Sequence, residues 1–406
     1  MFAPRVLSGM RPTGALHLGH YHGALKNWVR LQAEQPCYFF VADWHALTTH
    51  YESPEVIQRN IWEMVIDWLA AGIDPEQAVL FIQSRVPEHA ELHVLLSMST
   101  PLGWLERVPT YKDQQEKLSD KDLTTYGFLG YPLLQAADIL IYRASSVPVG
   151  EDQVPHVELT REIARRFNHL FGREPDFEQK VAAALKQIGG KRAKAFEDLR
   201  KRWQEQGDSA ALDEARALVA GSQSLSAADR ERLSGHLEGG RKLILSEPQA
   251  LLTEASRLPG IDGAKMSKSY GNSIAMREDP ASVTKKLRTM PTDPARVRRT
   301  DAGSPERCPV WQLHQVYSSE ETRQWVRKGC TTAGIGCLEC KQPVIDAVIA
   351  EQQPFIERAQ PYLDHPALLR DIMDAGCDKA RAVARETMHD VREVMGLNYG
   401  APVLGR

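Results

Sequence analysis

The chain of 406 residues predicts an α/β fold: a doubly wound parallel sheet interrupted by a helical insertion and followed by an all-helical C-terminal region. Three observations carry this expectation. Short apolar runs alternate with amphipathic helical stretches through the first third, the pattern of a parallel sheet covered by helices on both faces. The segment 176–246 shifts to Ala, Lys, Arg, Glu and Gln, and from 279 onward the periodicity is helical.

Taken in order, Val6-Leu7 is an apolar run leading into the turn Arg11-Pro12-Thr13-Gly14, and a helix begins near His17 to His20. Cys37 to Ala42 reads as a buried strand, Pro54 to Ala71 as a helix, and Ala78 to Gln83 as another strand. In such a sheet ligands bind at the carboxyl ends of the strands. Residues 1–175 and 247–278 then form the sheet domain, with 176–246 inserted between them as a helical subdomain broken at Gly189-Gly190 and Gly239-Gly240. Residues 279–406 form a helical C-terminal domain.

Composition bounds the function classes. The apolar share of 42% and charged share of 25% are ordinary for a soluble globular protein. No stretch of 18 uncharged apolar residues occurs, which excludes a transmembrane helix of ordinary length. The N-terminal residues lack the basic and apolar regions of a signal peptide, so a cytoplasmic protein with no membrane partner is expected. A net charge of −3 does not mark a nucleic-acid binder, but phosphate contacts need a basic face rather than a basic total. Candidate faces are Lys285, Lys286 and Arg288; Arg296, Arg298 and Arg299; and Arg161, Arg165 and Arg166, each of which also suits a solvated helix face.

Two short motifs carry chemistry. His17-Leu18-Gly19-His20 follows a strand and a Pro-Thr-Gly turn and opens a helix. The glycine lets the backbone approach a bound group, exposed amides at a helix start favour phosphate, and imidazoles can donate to phosphate oxygens. Alone the motif is weak, since histidines at helix starts are more often structural. Lys265-Met266-Ser267-Lys268-Ser269 places two lysines and two hydroxyls in five residues, with Gly260, Gly263 and Gly271 around them. That is a mobile phosphate-binding loop, or a surface loop with two solvated lysines.

Together, in this order and context, the pair resembles the signatures of the class I aminoacyl-tRNA synthetases. The likeness extends to Tyr131-Pro132-Leu133-Leu134-Gln135-Ala136-Ala137-Asp138-Ile139-Leu140, which resembles the amino-acid pocket helix of the tryptophanyl branch. Val147-Pro148-Val149-Gly150-Glu151-Asp152-Gln153, with His156, resembles that branch's second ATP-contacting stretch, and Phe40 to Ala46 its next strand. The match spans most of the chain outside 176–246.

The resemblance implies a Rossmann-type catalytic domain that activates L-tryptophan with ATP and Mg²⁺ and transfers it to the 3′ end of tRNA(Trp). It implies that His17, His20, Lys265 and Lys268 are catalytic. It assigns ATP binding to Arg11, Pro12, Thr13, Gly19 and His20, to Gly150, Glu151 and Asp152, and to Leu258, Lys265, Met266, Ser267, Lys268 and Ser269. Asp138 and Gln135 would bind tryptophan. The indole offers one donor and no acceptor, so a fixed carboxylate is a natural reader. A site built to bond a polar handle rejects analogues lacking it by ~10⁴–10⁵. At Gln135 many members of the branch carry methionine, and a glutamine there is similar to the tyrosyl enzymes, which keeps tyrosine as the second substrate. Arg288-Thr289-Met290-Pro291-Thr292-Asp293-Pro294 sides with tryptophan. A small-cofactor nucleotidyltransferase or a non-catalytic RNA-binding paralogue fits poorly, because both signatures are intact and a long helical C-terminal region follows. A homodimer is expected from the family.

Of six cysteines, Cys37 and Cys377 stand alone as core residues. Cys308, Cys330, Cys337 and Cys340 form the spacing Cys-x21-Cys-x6-Cys-x2-Cys, which suits zinc or an iron–sulfur cluster and does not choose between them. Some tryptophanyl enzymes carry a 4Fe-4S cluster on closely similar spacing beside the anticodon-binding region, and that resemblance favours the cluster over zinc or an unoccupied set of thiols.

Overall fold

The computed structural model describes residues 2–108, 125–172, 176–237, 243–252, 258–267 and 270–399. Five parallel strands form one sheet: β1 (Val6–Met10), β2 (Cys37–Val41), β3 (Ala78–Ile82), β4 (Ser146–Val149) and β5 (Gln249–Leu252). Their spatial order is β3-β2-β1-β4-β5. The chain therefore builds outward from β1 to one side and then restarts at β4 on the other. Between β1 and β4 the order reverses, leaving a crevice at their carboxyl ends.

Local chemistry explains each element. Every residue of β2 is buried, as expected for a strand covered on both faces. Gly9 in β1 has no side chain because the Phe40 ring lies over it, 2.5 Å from where a Cβ would sit. The expected strand stretch Phe40 to Ala46 breaks at Ala42: β2 ends at Val41 and α3 (Asp43–His50) begins. Asp43 supplies the reason, accepting from its neighbour Trp44 N–H at 3.1 Å and from Ser84 N–H at 3.0 Å. Helix α4 (Pro54–Ala71) starts with proline at a first-turn position and ends at Gly72, whose φ of 107° is left-handed.

The insertion comprises α10 (Phe177–Gln187), α11 (Gly190–Gln206), α12 (Ser209–Ala220) and α13 (Ala227–Leu237). Phe177, Val181, Phe196, Val219, Leu233 and Leu237 belong to a hydrophobic cluster distinct from the main one. In contrast, the C-terminal helices share the core of the sheet. Helix α17 (Cys337–Asp364) packs along α4, and α18 (Ala367–Val394) lies along β3, the edge strand. Covering that edge removes a row of unpaired backbone groups from solvent. The approach is so close that a Cβ on Gly376 would lie 1.8 Å from the Leu80 carbonyl oxygen. Ion pairs frame the seam, with Arg381 and Arg385 on Glu88 at 2.9 and 3.1 Å. No helix among the described residues is long and apolar enough to cross a membrane.

Candidate functional site

At the reversal point lies a cavity of about 390 Å³, lined by Gly9, Met10 and Arg11 from β1 and its exit, and by Val147 to Gly150 from β4. Gln135 and Asp138 reach it from α8 (Tyr131–Ile141), one helical turn apart and so on one face. Phe40, Phe128 and Ile139 supply apolar walls.

Asp138 is 1% exposed. Its Oδ1 accepts from Gln83 Nε2 at 2.8 Å and from His89 Nδ1 at 2.6 Å, and its Oδ2 from His45 Nε2 at 2.7 Å. Burial alone would raise its pKa, but the charge and hydrogen bonds of His45, with His89, outweigh burial and hold the pKa down at about 2. The carboxylate is thus ionised, and both histidines must present an N–H to it. That fixes the His89 tautomer: Nε2 becomes an acceptor for the Tyr142 hydroxyl at 2.7 Å. A carboxylate has about four acceptor positions. Three are filled, and one on Oδ2 remains beside the cavity. One spare anionic acceptor beside the walls of Phe40, Phe128 and Ile139 can receive a flat group bearing a single N–H or O–H.

Two of the three residues that hold Asp138 went unassigned in the sequence: Gln83 and His89. His45 belongs to the Phe40 to Ala46 stretch, where the resemblance gives it no role. Gln83 sits directly after β3, at the carboxyl end of a strand, and that position was the available signal.

The His-Leu-Gly-His segment stands next to the cavity. Leu18–His20 forms a first helical turn that passes into a π-helical turn, Tyr21–Leu25, and then into α2 (Lys26–Leu31). Gly23 and Ala24 of the π-turn line the cavity. His17 is the N-cap, and its ring stacks on that of His20 with centroids 3.7 Å apart. His17 also bridges Ala275 antiparallel, while Leu18 N–H donates to Ile274 O at 3.0 Å. This pairing brings the chain after the lysine loop against the first motif. A Cβ on Gly19 would meet the His17 ring at 2.9 Å and Met266 Cβ at 3.5 Å, so the two motifs lie side by side.

Lys265 pairs with Pro259 across the lysine loop, next to Leu258, which is buried in the main core. Buried Asn272 staples the loop: its amide donates to Asp262 at 2.8 Å and to Lys265 O at 3.1 Å, and its oxygen accepts from Ser267 N–H at 2.7 Å. Gly263 adopts φ 87°, and a Cβ there would strike Pro309 at 2.7 Å. Lys268 and Ser269 lie outside the described residues. Met266 is buried. Beneath both motifs, Asp67 of α4 accepts from Leu16 N–H at 2.8 Å and Arg277 Nε at 2.6 Å.

Of the remaining expected ATP contacts, Arg11 and Gly150 line the cavity. Thr13 N–H donates to Arg11 O at 2.8 Å in the turn, with Pro12 buried and Thr13 exposed. Gly150 follows β4, and Glu151 and Asp152 are exposed in the short 3₁₀ turn after it. His156 is buried behind Tyr131, its Nε2 3.2 Å from the phenol oxygen, and burial lowers its pKa to about 4.

The basic clusters do not all form free faces. Arg165 and Arg161 reach Glu247 at 2.8 and 3.8 Å, and Lys286 pairs with Glu278 at 2.6 Å. Arg296 is buried, donating to Ile335 O at 2.5 Å and Arg299 O at 3.1 Å. Ile335 lies thirty-nine residues on, so charge counting along the sequence could not place Arg296.

Four cysteines converge in the C-terminal region. Cys308 caps α15 (Pro309–Tyr317), Cys330 lies near the end of α16 (Glu320–Thr331), and Cys337 and Cys340 occupy the first turn of α17. Burial first, and then Cys308, Cys330 and Cys337, push the Cys340 thiol up to about 12. No three of the sulfurs lie within 4.8 Å of one another, whereas four sulfurs at about 2.3 Å from one zinc would stand roughly 3.8 Å apart. Arg296 directs an N–H toward Cys330 Sγ at 3.9 Å, and His314 Nε2 is 3.4 Å from Cys340 Sγ. Cys37 and Cys377 are buried singly in the core, and all six cysteines are free thiols.

Comparison with known proteins gives a consistent picture. A model of the family described as tRNA synthetases class I (W and Y) matches residues 3–191 and 218–351. The tryptophan--tRNA ligase of Ralstonia nicotianae is 75% identical over 98% of this chain and 100% of its own length, and that of Thermotoga maritima 44% over 97% and 100%. The crystal structure of tryptophanyl-tRNA synthetase from Campylobacter jejuni complexed with ADP and tryptophan is similar over 97% of this chain and 100% of that one, with a TM-score of 0.72 and 28% identity.

Proposed function

The chain belongs to the class I tRNA synthetases for tryptophan and tyrosine, and from that premise we propose how its residues perform tryptophan--tRNA ligation. It is an ATP-dependent aminoacyl-tRNA synthetase of tryptophan specificity. The observation that carries the residue-level reading is Asp138, an ionised carboxylate with one acceptor position left beside an apolar cavity. The indole N–H of tryptophan fills that position, and the ring packs on the apolar walls. Gln135, on the same face of α8, lies alongside.

In the first step an oxygen of the tryptophan carboxylate attacks the α-phosphorus of ATP. The bond to the bridging oxygen breaks, and pyrophosphate leaves with its electron pair. In the second step a hydroxyl of the terminal adenosine of tRNA attacks the acyl carbon, and AMP leaves. Neither step needs a covalent enzyme intermediate, so the protein acts by positioning and by stabilising phosphate charge. His17, His20, Lys265 and Lys268 take the charge-stabilising role. The closeness of Gly19 to Met266 supports their acting on one triphosphate. Gly150 and Arg11 bracket the place where the amino acid and nucleotide meet. Mg²⁺ accompanies ATP through its phosphates.

A 4Fe-4S cluster is the reading we favour for the four cysteines, supported by their convergence at the ends of three helices with Arg296 as a hydrogen-bond donor beside Cys330. Bound there, a cluster would cross-link three helices and supply a one-electron centre, with Cys308, Cys330, Cys337 and Cys340 as its ligands. Iron and sulfide in a brown, anaerobically purified sample are expected; a colourless sample with stoichiometric zinc would sink this assignment. The same reading makes 1–175 with 247–278 the catalytic unit, 279–406 the anticodon-binding unit, and the chain a cytoplasmic homodimer, testable by sizing with light scattering.

Tryptophan-dependent ATP–pyrophosphate exchange tests the function. Exchange with tryptophan and none with tyrosine is expected. Exchange with tyrosine alone would overturn the substrate, and no exchange with any amino acid would overturn the activity.

A further inference from the structure

The π-helical turn Tyr21–Leu25 lies directly after the His-Leu-Gly-His segment, and its Gly23 and Ala24 line the cavity. Such turns are rare and persist where the surroundings hold them. Here the hold comes from α15 and α17. His22 Nε2 lies 3.0 Å from the Tyr317 hydroxyl and 3.0 Å from Glu351 Oε2, and the Tyr317 hydroxyl donates to that same Oε2 at 2.8 Å. The His22 side chain is 5% exposed and that of Glu351 21%. With Tyr317 protonated and donating, His22 must present Nε2–H to the pair, so the three groups lock one another's proton positions.

The next residue along α17 grips the other side of the motif. Gln352 Nε2 donates to Ala275 O at 2.7 Å, and Ala275 is the residue bridged to His17. Phe355, one turn on, packs its ring on Tyr21 with centroids 4.7 Å apart. One stretch of α17 therefore contacts the π-turn and the chain that follows the lysine loop. None of Tyr317, Glu351 and Gln352 lines the cavity.

We infer that Glu351 and Tyr317, acting through His22, and Gln352, acting through Ala275, are positioning residues for adenylate formation. They set the first turn of the signature helix against the lysine loop, and so place His17 and His20 relative to the phosphates without touching substrate. This rests on the synthetase reading above. It predicts a loss in the chemical step rather than in amino-acid binding, because the Asp138 end of the cavity is held by other residues.

The test is pyrophosphate exchange with Glu351→Ala, Glu351→Gln, Tyr317→Phe and His22→Ala in the full chain. Misplacement of reacting groups by about 1 Å can cost ~10²-fold; for a relayed effect we expect kcat to fall roughly tenfold in Glu351→Ala. KM for tryptophan should stay within about twofold, and Glu351→Gln should recover part of kcat because its amide oxygen still accepts from His22. The double variant His22→Ala/Glu351→Ala should be no slower than the worse single one, since both act through one contact. Tyr317→Phe removes only a hydroxyl and carries the test should the alanine variant lose its fold. Unchanged kcat in Tyr317→Phe and Glu351→Ala, or additive losses in the double variant, would overturn the proposal. A wild-type chain inactive with every amino acid would instead remove the synthetase reading and this inference with it, and is seen before any variant is compared.

Discussion

Replacing Asp138 by asparagine changes one oxygen to an amide and removes one charge at the floor of the cavity. The three bonds to Asp138, at 2.6, 2.7 and 2.8 Å, are charge-assisted. Such bonds are worth about 1.5–3 kcal/mol each, against about 0.5–1.5 for neutral ones. Gln83 and His89 both donate to Oδ1, so the retained oxygen of asparagine turns toward them, and its NH₂ then faces His45 Nε2–H and the indole N–H. His45 loses its acceptor whether or not tryptophan is bound, whereas the indole N–H loses its acceptor only on binding, while meeting a donor. Weakening by about 1 kcal/mol at each retained partner is shared with the free protein and falls on stability. The indole contact falls on the reaction, at about 3 kcal/mol, or two orders of magnitude in kcat/KM for tryptophan. The assay is pyrophosphate exchange across a tryptophan titration, with thermal unfolding on the same sample. A variant that retains kcat/KM within threefold of the wild type would refute the role of Asp138 as the reader of the indole.

Other outcomes follow from the same geometry. Because Asp138 has a folded pKa near 2 against an ordinary 3.8, its ionisation contributes about 2 kcal/mol of stability that is complete above pH 4 and lost as pH falls toward 2; urea unfolding between pH 5 and 2.5 should show a shallower acid decline in Asp138→Asn than in the wild type. Gly376→Ala places a methyl 1.8 Å from the Leu80 carbonyl oxygen, so α18 must move off the sheet edge. A loss of about 3 kcal/mol or more is expected by denaturant unfolding, while Gly207→Ala, with open space but φ 67°, should cost about 1 kcal/mol. Asn272→Ala removes three bonds that staple the lysine loop; a KM for ATP raised several-fold with KM for tryptophan unchanged is expected from exchange kinetics.

Much of this was readable in the chain, and what was not shares one physical cause. Strands β1 to β3 and helix α4 are local objects, written in apolar runs and a proline start, and they appear where such patterns place them. Asp138 stood out because a carboxylate inside an apolar helical run needs partners. Those partners lie 49, 55 and 93 residues away, on elements whose convergence only the sheet order determines. The basic clusters misled for the same reason. Arg165 has Glu162 on its own helix at 2.7 Å, but Glu247 also meets it from beyond the insertion. Arg296 stands just before Arg298 and Arg299 in the sequence, but its carbonyl acceptors and the cysteine sulfur draw it inward. The break after Val41 was hidden because Asp43 finds one of its two backbone donors, Ser84, forty-one residues on.

The insertion's separate hydrophobic cluster bears on how the whole chain melts. Side chains such as Phe196, Val219 and Leu233 gain their burial from one another and not from the sheet. Cooperative unfolding needs shared contacts, and where two cores share few, each can open at its own temperature. A heating scan should then trace two overlapping transitions, the calorimetric enthalpy exceeding the van't Hoff value. A substitution such as Phe196→Ala should shift one transition and leave the other, along with exchange activity measured between them, in place. The small helical unit is in that sense a separate thermodynamic citizen, able to gain, lose or replace residues without altering the stability of the part that does the chemistry.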